Sequence, residues 1–185
     1  MRTSPARNGT HLESSCNGPL EALALQESDV AVRIRRPTEA AVVTRHVGDL
    51  RIGLYATPEL LLRHGVPNTH ADLARYPLIG PDRNLAEVMF LEQNGFVCVP
   101  ERMALRTDDH LAQFAALRAG VGVGVCAEQL ARRHGLVRVL PQAVAFSVDV
   151  WVAMHGDLRR VRRIGLVFEA LGAALSAFLA APRVN

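Results

Sequence analysis

Residues 102–125 read RMALRTDDHLAQFAALRAGVGVGV. This stretch decides the fold class because a strand, a helix and a second strand follow one another in it. The run that ends at Arg106 predicts a strand, and Thr107-Asp108-Asp109 supplies residue types that cap a helix. Gly120 ends that helix, and alternating Val and Gly over 121–125 predicts the second strand. Two strands linked by one helix usually pair in parallel, which is typical of α/β proteins.

The rest of the chain repeats this alternation of short strands and helices. Thr57-Pro58-Glu59 predicts another helix start, with Thr as the cap, Pro at the first helical position and Gly65 as the stop. Asp157 is predicted to cap a last helix that runs to about Ala180. Further predicted strands lie at residues 29–33, 42–46, 50–55, 78–80 and 148–154. The pattern predicts an α/β fold with a largely parallel sheet whose faces are covered by helices.

Length and composition indicate a globular protein. The chain has 185 residues, of which 49% are hydrophobic and 21% are charged, which fits one domain or two small ones. The most apolar stretch, residues 171–181, is much shorter than the roughly 20 residues that span a bilayer. Residues 1–10 are polar and predict no secretory signal. Cys16, Cys98 and Cys126 form no disulfide or zinc pattern, so a reducing cytoplasm is expected.

The basic residues are all arginine, and they are concentrated near one end. Residues from 158 onward carry five Arg and one Glu, whereas residues 1–157 carry 16 Arg and 17 acidic residues. Arg159, Arg160, Arg162 and Arg163 cover most faces of one helical turn. We interpret this cluster as a solvated helix surface, with direct nucleic-acid contact as the weaker alternative.

Two motifs suggest chemistry but have simpler interpretations. Gly120-Val121-Gly122-Val123-Gly124 lacks the spacing and the position of a dinucleotide-binding loop. We therefore predict a Gly-rich strand packed closely beside neighbouring backbone. Cys126 follows at a predicted helix start, where a thiol can be activated, but no His or Asp is paired with it in sequence. A small apolar residue at a pocket edge is the better interpretation. The seven histidines form no ligand pattern, so no metal is predicted.

Thr57, Thr107 and Asp108 directly follow predicted strands and lie at helix starts. In an open α/β sheet this position is the carboxyl edge, where ligands bind and free backbone N–H groups favour anions. Arg33 closes another strand and is expected at the same edge. The alternative is simple helix capping by the two threonines and a surface ion pair for Arg33.

Taken in order, these segments resemble a known family. The segments that carry the resemblance are 29–33, 54–58 with Leu61 and 64–65, 72–73 with 76–79, 105–108, 115–120 with 122–124, 136–141, and Trp151 with His155 and 157–159. Their order and spacing resemble the C-terminal effector-binding domain of LysR-type transcriptional regulators, over about residues 11–178. No single motif is specific. The resemblance implies the fold of type 2 periplasmic binding proteins, in which two crossover strands join two α/β subdomains.

The same resemblance implies where the parts of the molecule lie. Subdomain I would comprise residues 11–52 and 153–185, and subdomain II residues 53–152, with crossovers near Ile52–Ala56 and Val148–Val152. A small-molecule effector, often an organic acid or an aromatic metabolite, would bind in the cleft between them, without catalysis and without a cofactor. The implied cleft residues are Ser15, Asn17, Arg33, Thr57, Thr107, Asp108, Val125 and Cys126.

The sequence also departs from the family pattern. We find no counterpart of the winged helix-turn-helix, or of the first strand and helix of subdomain I, and residues 1–10 match nothing in the family. A truncated regulator with an incomplete first subdomain is therefore expected. Its expected partners are the effector and a second copy or a full-length relative; DNA would be reached only indirectly, and no membrane is involved. The rival hypotheses are a free-standing solute-binding protein and an enzyme using Cys126 or Asp108.

Overall fold

A computed structural model describes residues 29–39, 41–96 and 98–180 of the chain. The strands are β1 (Val30–Arg33), β2 (Val42–Ala56), β3 (Leu78–Gly80), β4 (Met103–Arg106), β5 (Val123–Ala127), β6 (Val137–Val139) and β7 (Ala145–His155). The α-helices are α1 (Pro58–His64), α2 (Leu85–Gln93), α3 (His110–Arg118), α4 (Glu128–Arg133) and α5 (Arg162–Leu179). Short 3-10 helices cover His70–Arg75, Pro100–Arg102 and Gly156–Arg160.

The strands form one mixed sheet with flanking helices, which confirms the predicted α/β class. The strand order is β1-β7-β2-β5-β3-β4, and β6 also pairs with β2. The strands β5, β3 and β4 run parallel to one another, as the strand–helix–strand pattern predicts. The ladders that involve β2 and β7 are antiparallel.

Two long strands run through the middle of the sheet. The segments 42–46 and 50–55, predicted as separate strands, form the single 15-residue strand β2. It pairs with β7 from Val42 opposite His155 to Gly53 opposite Ala145, with a bulge between His46 and Gly48. Gly48 has a φ of 136°, which only glycine adopts readily, so the strand continues through the bulge. The predicted crossovers lie within β2 and β7, and the subdomain boundaries at residues 52 and 153 remain predictions.

Separate apolar clusters pack at the two ends of these long strands. At one end, Val150 and Val152 of β7 pack with Phe168 of α5. At the other end, Leu54 and Tyr55 belong to different clusters on the two faces of the sheet, because successive strand residues point to opposite sides.

The Gly-rich segment before β5 packs against neighbouring backbone, as predicted. A Cβ atom on Gly122 would lie 2.5 Å from the carbonyl oxygen of Pro77. The next residue, Val123, donates its N–H to that same oxygen at 2.8 Å. The glycine is therefore required for close approach of two chain segments and not for phosphate binding.

The start of the last helix differs from the prediction. The nitrogen Nδ1 of His155 accepts from the N–H of Asp157 and caps a 3-10 helix over Gly156–Arg160. The extended residue Val161, with φ −86° and ψ 100°, then separates this turn from α5. Asp157 is consequently not the cap of the long helix, although α5 ends close to the predicted position.

Candidate functional site

The structure places Thr57 and Thr107 at opposite ends of the parallel strands. Because β2 runs antiparallel to β5, with Tyr55 opposite Gly124, the carboxyl end of β2 meets the amino end of β5. Thr107 follows the carboxyl end of β4, which is parallel to β3 and β5. The expectation that both threonines lie at one edge is therefore wrong: it treated β2 as parallel to its neighbour.

Thr57 is a buried helix cap. Its side chain is 6% exposed, and Oγ1 accepts from the N–H of Leu60 at 3.2 Å. A Cβ on Gly120 would lie 3.0 Å from the same oxygen, so the turn after α3 closes over the threonine. This environment fits the structural alternative of capping and leaves Thr57 little room for a ligand.

Asp108 ties two loops together at the other end of the parallel strands. Its Oδ1 accepts from the backbone N–H groups of Asp82 at 2.8 Å, Arg83 at 3.1 Å and Asn84 at 3.2 Å. Partial burial opposes ionisation, but these hydrogen bonds outweigh it and hold the pKa of Asp108 below its usual range. An aspartate held in this way is a positioning group with no free proton to exchange near neutral pH.

The next residue, Asp109, caps α3. Oδ1 of Asp109 accepts from the N–H of Leu111 at 2.8 Å and from that of Ala112 at 3.2 Å. Thr107 accepts from the N–H of Asp109 at 3.2 Å, and its own carbonyl accepts from Gln113 Nε2 at 2.6 Å. Thr107 is therefore part of the cap structure, at the carboxyl edge where the sequence predicts it.

Val125 and Cys126 lie on β5 and point to opposite faces of the sheet. Val125 packs against the cluster around Leu54, and Cys126 is part of the cluster that contains Tyr55. Burial raises the pKa of the Cys126 thiol to about 11, so it stays protonated near neutral pH. A neutral thiol is a weak nucleophile, which favours the apolar role predicted for Cys126.

Arg33 ends β1 directly opposite Trp151 of β7, beside a cluster of aromatic and cationic groups. The Trp151 ring lies 4.9 Å from the ring of His46, centroid to centroid. The guanidinium of Arg36 lies 5.4 Å from the Trp151 centroid. The indole Nε1 is buried and has no hydrogen-bond partner in the described structure. Trp151 carries part of the family resemblance, but it is not among the site residues predicted from the sequence. Trp151 is the single Trp of the chain, and this rarity is the one feature of the sequence that could have indicated a binding role.

The predicted site residues fall into separate groups. Arg33 lies opposite Trp151 of β7, and Trp151 lies opposite residue 46 of β2. Cys126 lies opposite residue 53 of β2. Seven residues of extended strand rise about 23 Å, so these two groups lie on either side of the middle of β2. Thr57 lies further away, beyond the end of the strand. Ser15 and Asn17 are outside the described residues.

One group of side chains has the composition of a metal site. In the part of the chain that the structure describes, ligand atoms of His46, Asp49 and Asp149 lie within 4.8 Å of one another. All three side chains are exposed, and such groups are common on protein surfaces without an ion. Across the same residues, no helix has the length and apolar character needed to cross a membrane.

A family model for the LysR substrate binding domain matches residues 11–176. The chain belongs to the LysR substrate-binding domain family. The match begins before β1 and ends within α5, so it includes all seven strands of the sheet. No curated protein sequence matches the chain.

Several solved structures with the same fold come from LysR-type regulators. The regulatory domain of CrgA, a LysR-type transcriptional regulator from Neisseria meningitidis, matches with a TM-score of 0.65 at 17% identity, over 81% of this chain and 76% of that one. The regulatory domain of AphB from Vibrio vulnificus matches with a TM-score of 0.59 at 20% identity, over 84% and 79%.

A full-length regulator shows how much of such a protein this chain covers. Full-length AphB, a virulence activator from Vibrio cholerae, matches with a TM-score of 0.60 at 18% identity, over 83% of this chain and 54% of that one. This chain spans about half the length of that full-length regulator. Like the substrate-binding domains that it matches, it has the type 2 periplasmic-binding-protein fold.

Proposed function

We propose that this LysR substrate-binding domain senses a small anionic or aromatic metabolite. The long strands β2 and β7 connect the two halves of the sheet. The metabolite would bind in a cleft between these halves. The observation that carries the proposal is the group formed by Arg33, Arg36, His46 and Trp151 at the carboxyl end of β1.

The chemistry of this group suits an aromatic acid. A guanidinium pairs with a carboxylate in a planar, bidentate geometry, and an indole face stacks on an aromatic ring. Arg33 makes no ion pair with any of the described residues, so its charge is available. The buried Trp151 N–H lacks an acceptor, and a ligand oxygen would provide one.

The opposite wall of the cleft would come from the carboxyl ends of β4 and β5. Asp108 holds the loop at residues 82–84 in place, and Arg106 pairs with Asp82 at 2.8 Å. These contacts fix the position of Thr107 at that edge. Val125 is held separately, by the pairing of β5 with β2, where it lies opposite Leu54. The protonated thiol of Cys126 and the fully engaged carboxylate of Asp108 favour binding without catalysis.

As part of a regulator, the domain would act in the cytoplasm and reach DNA only through a separate DNA-binding segment, either its own or that of an associated relative. Association with a second copy or with a full-length relative is part of the proposal. Each of these statements rests on family membership and not on a contact of this chain.

Thermal unfolding with a panel of small molecules tests the proposal. Benzoate, succinate and phenol separate the contributions of an aromatic ring and a carboxylate. A ligand at one hundred times its Kd stabilises the native state by about 2.7 kcal/mol and raises the midpoint. Arg33→Ala should weaken that ligand's binding by about tenfold or more, because it removes a charge-assisted hydrogen bond.

The matched control is Arg35→Ala. Arg35 is exposed just after the end of β1 and makes no ion pair with the described residues. Its replacement by alanine changes the net charge by the same amount as Arg33→Ala. The proposal fails if no carboxylate or aromatic compound shifts a cooperative transition. It also fails if Arg33→Ala and Arg35→Ala respond to the compound like the unaltered protein.

A further inference from the structure

Small side chains leave a low area, which we call the notch, on one face of β2, away from the group around Trp151. Residues 51, 53 and 55 point to the same face, because side chains alternate along a strand. Across the ladder, Arg51 faces Ser147 and Gly53 faces Ala145. Gly, Ala and Ser are the smallest side chains, so the surface is low here. The long side chain of Arg51 borders it.

Arg138 lies over the floor of this notch. It projects from β6 opposite Tyr55, and its Nε is 3.1 Å from the position that a Cβ on Gly53 would occupy. Arg138 is exposed and has no carboxylate partner among the described residues. Arg51 differs, because its Nε pairs with Glu128 Oε2 at 2.7 Å. The notch therefore carries one uncompensated positive charge.

Tyr55 adds an unsatisfied hydrogen-bond donor. The residue is 3% exposed, and its hydroxyl is buried without a partner in the described structure. Burial raises the pKa of this hydroxyl, and the charge of Arg138 opposes that shift. The phenol therefore keeps its proton near neutral pH and is within electrostatic reach of the Arg138 guanidinium. A buried donor of this kind normally has an acceptor.

We propose that this notch is a second binding site, for a carboxylate or phosphate oxyanion. One ligand oxygen would accept from the Tyr55 hydroxyl, and the others would accept from the guanidinium of Arg138 as it lifts from Gly53. Ser147 would border the ligand on the open side. Arg33 and Trp151 are level with residue 46 of β2. Val125, on the opposite wall of the proposed cleft, packs on the other face of the sheet from Tyr55. The second site is therefore separate from both walls of the effector site proposed above.

Thermal unfolding at constant ionic strength tests this second site, with sodium chloride replaced stepwise by inorganic phosphate or by acetate. The two anions distinguish a phosphate from a carboxylate preference. Phosphate also stabilises proteins by exclusion from their surface, so the informative quantity is the difference between variants. The midpoint of the unaltered protein should rise more than that of Arg138→Gln in at least one of the two anions.

Two tyrosine variants separate the hydroxyl from the ring. Tyr55→Phe should keep or raise the midpoint in chloride, because it removes an unsatisfied buried donor, and it should lose at least half of the anion-dependent rise. Tyr76→Phe is the control: the Tyr76 hydroxyl donates to the carbonyl of Gly65 at 2.6 Å. Its loss should lower the midpoint and leave the anion-dependent rise unchanged.

Ser147→Asp tests the site in a different way, because it adds a carboxylate to the notch and removes none of the groups that would bind the anion. An aspartate at this position places a carboxylate inside the notch, so the midpoint in chloride should rise and the response to added anion should disappear. The proposal is overturned if Arg138→Gln shows the same anion-dependent rise as the unaltered protein in both anions. It is equally overturned if Ser147→Asp leaves the anion response intact.

Discussion

The junctions after β2 and after β4 share a local sequence signature and have different surroundings. Each has a threonine directly after a strand, and the next helix starts one residue after Thr57 and three residues after Thr107. At the first, Thr57 is 6% exposed and is covered by Gly120. At the second, Asp108 and Asp109 are exposed and accept hydrogen bonds from the backbone. A capping signature thus predicts a helix start, whereas strand direction decides which edge of the sheet the start occupies.

The two junctions are also stabilised by different forces. The buried junction depends on close packing of the Thr57 side chain and the glycine-rich turn over residues 120–122. The exposed junction depends on a charged carboxylate that holds backbone N–H groups. We therefore expect changes in volume to matter most at the first junction and changes in charge to matter most at the second.

The largest effect is expected at Gly122, next to the buried junction. In Gly122→Ala, the new methyl would lie 2.5 Å from the carbonyl oxygen of Pro77, and this backbone atom cannot rotate away. We expect a loss of about 3 kcal/mol or more in the free energy of unfolding, measured by urea denaturation. Gly165→Ala is the control: nothing lies within 4 Å, and alanine in a helix is favoured by up to about 1 kcal/mol. Equal stabilities of the two variants would contradict the close approach at Gly122.

An intermediate effect is expected for Thr57→Ala. The substitution removes a cap hydrogen bond, which contributes about 1 kcal/mol, and buried apolar atoms that contribute about as much again. Thr69 is the matched control, because it caps the 3-10 helix over His70–Arg75 while being exposed. In urea denaturation, Thr69→Ala should cost about half as much as Thr57→Ala. If the two costs are equal, burial of Thr57 adds nothing to its cap.

The smallest effect is expected for Asp108→Ala, and it should depend on pH. At pH 7 the variant should lose about 1 kcal/mol of unfolding free energy, the size of the loss when a capping carboxylate that accepts from backbone N–H groups is removed. The pKa of Asp108 is lowered in the folded state, so its contribution is complete above the unfolded pKa of about 3.9 and is lost as the pH falls toward the folded pKa. Urea denaturation from pH 7 to pH 3 measures this, and a loss that does not shrink below pH 4 would contradict the charge-based account.

The elements that the sequence predicts well are those specified by neighbouring residues. The start and stop of α1 at Thr57 and Gly65, and the cap and end of α3, depend on hydrogen bonds within one turn of helix. The parallel pairing of β3, β4 and β5 follows from the short helical connections between them. These features need no information from distant parts of the chain.

The features that the sequence does not predict depend on long-range pairing. Nothing near Thr57 indicates that β2 runs antiparallel to β5, and this direction removes Thr57 from the edge that carries Thr107. Similarly, the approach of Arg36 to Trp151 joins residues that are distant in sequence. Arg33 and Thr107 were placed at strand ends correctly, but the partners of their side chains could be identified only from the tertiary structure.

The long pairing of β2 with β7 also has a consequence for the time course of synthesis. Roughly ninety residues separate the end of β2 at Ala56 from the start of β7 at Ala145. At the usual rate of translation, about 5–20 residues per second, the ribosome needs about 5–20 s to make that interval. During this time an edge of the 15-residue β2 has no β7 to pair with. A nascent strand with an open edge is a target for aggregation, so the chain should depend on chaperones most strongly while residues 57–144 are being translated.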